Sequence, residues 1–411
     1  MRRLLLPLLL AVGCAAGKPA PEMQQPEPGP PPPFAAALDG GQFEAAGEWI
    51  HRLQERGELV ASLLARLRLG ERRHDAALLR LLAGDPRIEL LLARAEWKDE
   101  LARALFWTVG PAEALPFYES LCASGNTESC ALSSLTRLAS RRPREVSGER
   151  RARVELLTRI PLPMVPLSVN GGPPADFIVD SGASLTVLDR SFCERQGIPY
   201  LKEHPRTGGN LAYFPAFLDQ LSFGGIVVSG VVANVTDLPA ELKVAGILSL
   251  QDAFKGLLVE LDGRALALSV YRDLDEAGWR DLAGELTHVE PLQWSDGRLF
   301  ARGRLGREVA GLFQLDLGAG ASMVSPRVAH RLGHRLLAPA QGEPPRVAAR
   351  FALGDEVRAR REELAIVEDP VAPAAGGPEA LGTIGFGWAI GRRLALAPDG
   401  TRLLFTEARG P

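Results

Sequence analysis

The sequence predicts a multidomain chain: an all-α region followed by a mostly β domain made of two similar lobes about a pseudo-twofold. Three observations predict it. First, Phe177-Ile178-Val179-Asp180-Ser181-Gly182-Ala183-Ser184-Leu185-Thr186-Val187-Leu188 recurs at an offset of 136 residues as Phe313-Gln314-Leu315-Asp316-Leu317-Gly318-Ala319-Gly320-Ala321-Ser322-Met323-Val324. The same offset pairs Gly197 with Gly333 and Gly246 with Gly382, and a repeat held in register that far implies two similarly folded units. Second, leucines between Phe34 and Arg142 fall at helical spacing, as in Leu59, Leu63, Leu64 and Leu67. Third, short Val-rich apolar runs bounded by Gly, Asn and Asp replace that spacing from residue 154 onward.

Residues 1–14 form a signal peptide: Arg2 and Arg3 precede the apolar run Leu4 to Val12, which ends at small residues and Cys14. Ala11-Val12-Gly13-Cys14 resembles a bacterial lipobox, which implies lipidation of Cys14 and a lipid anchor in the cell envelope. Ala15 is not the aspartate of an inner-membrane retention signal, so the expected site is the outer membrane; ordinary cleavage near Ala16 is the alternative. Residues 15–33 are a proline-rich tether, extended at about 3.1 Å per residue. Residues 34–142 should form several short antiparallel helices broken at Gly70, Gly84-Asp85-Pro86 and Gly110-Pro111. Within them, Ala114 to Cys122 and Cys130-Ala131-Leu132 resemble a cysteine-bearing Sel1-type or tetratricopeptide-like repeat, with a generic helical bundle as the alternative. Cys122 and Cys130 flank Gly125-Asn126 between two helices, and in an exported chain a local disulfide is expected. Residues 143–153, basic and polar, mark a linker.

The β domain spans 154–408, with lobe 1 at about 154–273 and lobe 2 at about 290–408. Strands are expected at Met164 to Val169 and Phe177 to Val179, around a turn at Asn170 to Pro173. Asp189 should cap a short helix closed by Gly197, with Cys193 a buried small hydrophobe on it. Leu221 to Val235 alternates as a sheet strand does. Leu257 to Leu261 with Ala265 to Val270 forms a hairpin, echoed by Leu394 to Ala397 with Leu403 to Phe405.

A carboxylate at the end of an apolar strand is costly to desolvate and needs partners or a task. Two lobes each presenting one aspartate can bring Asp180 and Asp316 together, where like charges cannot both ionise; one shared proton then leaves a general acid and a general base around one water. Val179-Asp180-Ser181-Gly182-Ala183 and Leu315-Asp316-Leu317-Gly318-Ala319 resemble the Asp-Thr/Ser-Gly turn of retropepsin-like and pepsin-like aspartic proteases. Gly382-Thr383-Ile384-Gly385 matches the later apolar-apolar-Gly strand of that family, and Gly246-Ile247-Leu248-Ser249 departs from it at Ser249. The resemblance implies peptide hydrolysis by catalytic Asp180 and Asp316, with Ser181, Gly182 and Gly318 supporting the dyad. It also implies a flap at Leu201 to Phe214 whose Gly208 and Gly209 would let it close over a peptide. Leu317 stands where the family has a hydroxyl residue. That departure motivates two rival readings, a degenerate fold that binds peptides without cutting them and an envelope scaffold acting through the helices.

The chain has 411 residues, 46% of them hydrophobic, and a formal net charge of −3, which gives no electrostatic reason to expect nucleic acid. No run approaches the roughly 18 apolar residues of a spanning helix. No cofactor or metal is expected: His330 and His334 share a helical face, but Arg331 occupies the place of a zincin glutamate and no third ligand is apparent. Gly385 to Gly391 has one residue too many for a dinucleotide fingerprint, and Ser184 and Ser322 lack the glycines of a nucleophile elbow. The expected partners are a peptide or protein substrate and a membrane, with the chain acting as a monomer.

Overall fold

The computed structural model describes residues 32–157, 162–203, 205–208, 211–274, 278, 282, 284–307, 309–332, 344–354, 359–371 and 377–407. Helices fill the first part, from Pro32–Asp39 to Thr127–Arg141, and strands the rest. The segments expected to be a signal peptide and tether, with Cys14, lie outside the described residues except for Pro32 and Pro33.

Local chemistry sets the helix ends. Asp75, Asp85 and Asn126 accept the N–H groups of Leu78, Arg87 and Ser129 at their starts, and Pro111 begins the helix after Gly110. Gly84 and Gly110 interrupt the helices as expected, but Gly70 does not: Leu59–Arg72 runs through it. A Cβ there would come within 2.8 Å of Leu79, so this glycine serves close packing of the next helix rather than a break. Cys122 and Cys130, at the two sides of the Gly125 turn, form a disulfide.

The strands form three sheets among the described residues. An eight-stranded sheet belongs to lobe 1 and a seven-stranded sheet to lobe 2. In each, the Asp-bearing strand pairs in parallel with the Gly-bearing strand, Phe177 opposite Gly246 and Phe313 opposite Gly382. The strand after each aspartate crosses back on the other side, Leu188 opposite Gly246 and Val324 opposite Gly382. A Cβ on Gly246 would lie 2.3 Å from Val187 O, and one on Gly382 2.1 Å from Met323 O. Both glycines recur because each is pressed against a crossing backbone that no side chain can share.

The third sheet joins the lobes. Leu258–Asp262 with Ala267–Tyr271 and Arg393–Leu396 with Arg402–Phe405 are the two expected hairpins, and they meet edge to edge through antiparallel pairing of Val259 with Leu396 and Glu260 with Ala395. One buried cluster accordingly runs through both lobes, from Val165 and Phe177 to Phe313 and Phe405. A buried aromatic or aliphatic side chain of this kind contributes roughly 1.5–3 kcal/mol.

The stretch 143–153 is not a free linker. Glu145–Gly148 pairs with Ile226–Thr236, and Arg151–Glu155 pairs with Ala267–Tyr271 at the edge of the joining sheet. Apart from Arg144, whose guanidinium donates to Asp252 O and Ala253 O, its charged side chains are exposed while its backbone completes two sheets, so composition alone hides the strands.

Candidate active site

Asp180 ends the strand Ala175–Asp180, and Asp316 directly follows Val309–Leu315. Each is thus delivered by a central strand held on both sides, which fixes the turn that follows. The two turns interlock. A Cβ on Gly182 would come within 2.5 Å of Asp316 Cγ, and one on Gly318 within 2.4 Å of Asp180 Cγ. Only glycine lets each turn approach the other lobe's carboxyl this closely, so the repeat places the two aspartates face to face across the lobe interface.

Backbone N–H groups hold the carboxylates: Gly182 donates to Asp180 Oδ1 at 2.5 Å and Ala319 to Asp316 Oδ1 at 3.1 Å. The carboxyl groups also hydrogen-bond to each other. Both side chains keep some contact with solvent, but the protein packed around their carboxyl ends raises both pKa values. Desolvation is the largest cause for each. For Asp316 the negative charge of Asp180 adds to it and pushes the group well above the ordinary carboxylate range, whereas the hydrogen bond from Asp316 lowers Asp180. Burial of the two facing carboxyls thus favours one proton shared by the pair.

Ser181 ties the lobes. Its Oγ donates to Leu315 O at 3.1 Å and accepts the Leu317 N–H at 3.1 Å. Leu317 offers no hydroxyl for the reverse tie and is instead buried against Leu250, Val259 and Trp388 around a small apolar cavity of about 40 Å³. Behind the turns the repeat continues in hydroxyls: Thr186 Oγ1 accepts the Ser249 N–H at 3.4 Å, and Ser322 Oγ accepts the Gly385 N–H at 3.1 Å. Ser249, the departure from glycine, fits because its side chain caps the helix Leu250–Ala253 and donates to Ser184 O. A Cβ at Gly385 would instead lie 2.5 Å from Ala321 O.

Gln251 was missed in the sequence. Its Nε2 donates to Ser181 O at 3.1 Å, Ala183 O at 2.8 Å and Gly297 O at 3.0 Å, bracing the Asp180 turn against the first hairpin of lobe 2. No signal marks it, because the residue at the repeat offset is Gly387.

Other expected residues lie elsewhere. Gly208 ends the strand Arg206–Gly208, paired with the start of Leu211–Phe223 in a hairpin; Gly209 lies outside the described residues. His330 is exposed on the helix Pro326–Arg331, and His334 is outside the described residues. Among the described residues no cluster of His, Cys, Asp and Glu could hold a metal, and no helix is long and apolar enough to cross a membrane. Cys193 is buried and unpaired, and burial pushes its thiol up to about 12, which keeps it a neutral packing group.

No curated protein matches the chain. Among solved structures it is similar to an aspartic proteinase from Irpex lacteus, at 11% identity and a TM-score of 0.41, over 62% of this chain and 97% of that one. Residues 165–251, which carry Asp180, its turn and the Gly246 strand, match a family model described as aspartyl protease.

Proposed function

We propose that the chain is an aspartic-type endopeptidase whose substrate is a peptide or protein segment. The observation that carries this reading is the reciprocal seating of Asp180 and Asp316 on Gly318 and Gly182. Ionised Asp180 takes a proton from a water as its oxygen attacks the peptide carbonyl carbon, and Asp316 gives its proton to the carbonyl oxygen. From the resulting diol, Asp180 passes a proton to the leaving nitrogen, the C–N bond breaks, and Asp316 recovers a proton from the diol hydroxyl. Water and two carboxyls suffice, with no cofactor. Both aspartates come from one chain, so one copy is enough.

The test is hydrolysis of an unfolded protein by the purified full-length chain. Asp180→Asn and Asp316→Asn should each lower the rate by about 10²-fold or more with unchanged circular dichroism. Activity needs one proton on the pair, and burial raises both pKa values, so the rate should fall as pH rises and be higher in mildly acidic than in alkaline buffer. Full activity in either variant, or a rate that climbs into alkaline buffer, would rule out the dyad. Binding of unfolded protein without cleavage would favour the peptide-binding reading.

A lipid on Cys14, with residues 15–33 as tether, would hold this domain at the bacterial outer membrane. Cys14→Ala should then move the protein from the membrane to the soluble fraction of lysed cells; an unchanged distribution would remove the anchor from the proposal.

A further inference from the structure

Two peptide units of the Asp180 turn donate to its carboxyl group, and each has a glutamine behind it. The Gly182 N–H donates to Asp180 Oδ1, and the carbonyl of the same peptide unit, Ser181 O, accepts from Gln251 Nε2 at 3.1 Å. The Ala183 N–H also donates to Asp180, and the carbonyl of its unit, Gly182 O, accepts from Gln314 Nε2 at the longer distance of 3.5 Å. A peptide unit is planar and conjugated, so a hydrogen bond received at its oxygen draws electrons from its nitrogen and strengthens the N–H as a donor. The same bond fixes the tilt of the unit and so the aim of that N–H. Gln251 and Gln314 are 4% and 5% exposed, which keeps both amides out of bulk water.

One glutamine comes from each lobe, yet both serve the Asp180 turn. At the repeat offset of 136 residues Gln251 corresponds to Gly387 and Gln314 to Ile178, and neither of these has a side-chain donor to offer the Asp316 turn. Charged neighbours do not supply the difference. Each carboxyl of the dyad faces the other as its titratable neighbour. Asp252, beside Gln251 on its helix, faces Arg144 and Lys255, and Asp296 of the hairpin that Gln251 also holds pairs with Arg103 and Arg298.

We propose that Gln251 and Gln314 are positioning residues that make Asp180, rather than Asp316, the ionised member of the pair. An N–H aimed and strengthened in this way favours a carboxylate over a carboxylic acid. The proposal rests on the dyad reading and deepens it: the glutamines select which carboxyl activates the water and leave the other to supply the proton.

The test is an NMR titration of the full-length protein with carboxyl-labelled aspartate, in an Asp316→Asn chain and in an Asp180→Asn chain. Each keeps one member of the dyad, so the coupling between them is gone, and the double variant identifies the signal. Asp180 should lose its proton at a pH lower than Asp316 does by about one unit. Gln251→Met keeps the length of the side chain and removes the amide; it should raise the Asp180 midpoint by about 0.5 pH unit and leave that of Asp316 in place. Gln314→Met should act in the same direction by less, because its bond is longer. A packing role alone would lower stability and shift neither midpoint selectively. With both aspartates present, Gln251→Met should move the acidic limb of kcat/KM to higher pH and leave the alkaline limb, where Asp316 gives up its proton. The titrations need no turnover, so they decide the proposal even if the chain cuts no substrate and the peptidase reading fails. If Gln251→Met does not fold, Gln314→Met and the comparison of the two aspartates decide. The proposal is overturned if Asp316 ionises at or below the pH of Asp180, or if the glutamine variants leave Asp180 unmoved or move both aspartates alike.

Discussion

Ser181 makes two hydrogen bonds across the lobe interface where its counterpart Leu317 makes none with its side chain, and this asymmetry sets the energetics of the turns. Ser181→Ala would leave the Leu317 N–H and Leu315 O without that partner at a buried site, at a cost of roughly 1–3 kcal/mol in urea denaturation. Leu317→Thr would restore a hydroxyl, but Leu317 is 8% exposed and packs around a cavity, and removing its apolar contacts costs more than one hydrogen bond returns. A net loss of about 1 kcal/mol is therefore expected. A gain in stability would mean that the reverse tie outweighs the packing. At this scale the sequence marked the aspartates, the glycines and Ser181, because each recurs or departs at a known offset. Gln251 stayed invisible: its role depends on three carbonyls that converge only when the hairpin of lobe 2 reaches the turn of lobe 1.

Among the elements, those with a repeat or a capping signal were legible and those defined by a partner were not. The hairpins at Asp262 and Asp399 and the helix from Asp189 to Gly197, whose ends are a capping carboxylate and a left-handed glycine, appear where the residues place them. Glu145–Gly148 and Arg151–Glu155 escaped because edge strands carry polar side chains and draw their pairing from distant strands. Gly70 misled because a glycine that permits close approach looks the same in sequence as one that ends a helix. The helix pair Pro111–Ala123 and Thr127–Arg141 is closed by Cys122–Cys130 over a separation of 8 residues. Replacing both cysteines with alanine frees that short loop in the unfolded chain, and a loss of roughly 2–3 kcal/mol is expected for the helical part. Equal thermal unfolding of the two proteins would show that the bridge adds nothing to the packed turn.

At the scale of the molecule, the helices do not stand apart from the β domain. Their buried cluster runs on into Leu185 and Val232 of lobe 1. Their polar contacts reach the Asp296-Gly297 hairpin of lobe 2, a two-residue turn with both φ values positive. His74 stacks on Trp294 at 4.1 Å, Arg72 donates to Gln293 Oε1 at 3.1 Å, and Glu71 Oε1 accepts the Asp296 N–H at 2.8 Å. Because Gly297 O in turn accepts from Gln251, this junction is continuous with the Asp180 turn. Glu71 is the group that titrates there: burial pushes it from the ordinary 4.5 to about 7, Glu100 adds to the rise, and the Asp296 N–H, Arg72 and Arg103 oppose it. The folded chain thus keeps this proton up to about pH 7 while the unfolded chain releases it near 4.5, so folding takes up a proton between the two and this contribution to stability falls as pH rises across that window. Glu71→Gln keeps an acceptor for the Asp296 N–H and removes the charge. The variant should match the wild type below the window and exceed it by on the order of 1–3 kcal/mol at pH 8, seen as a flatter dependence of melting temperature on pH. Parallel curves, or a less stable variant at pH 8, would mean that the charge of Glu71 is held by Arg72 and Arg103 better than its burial implies.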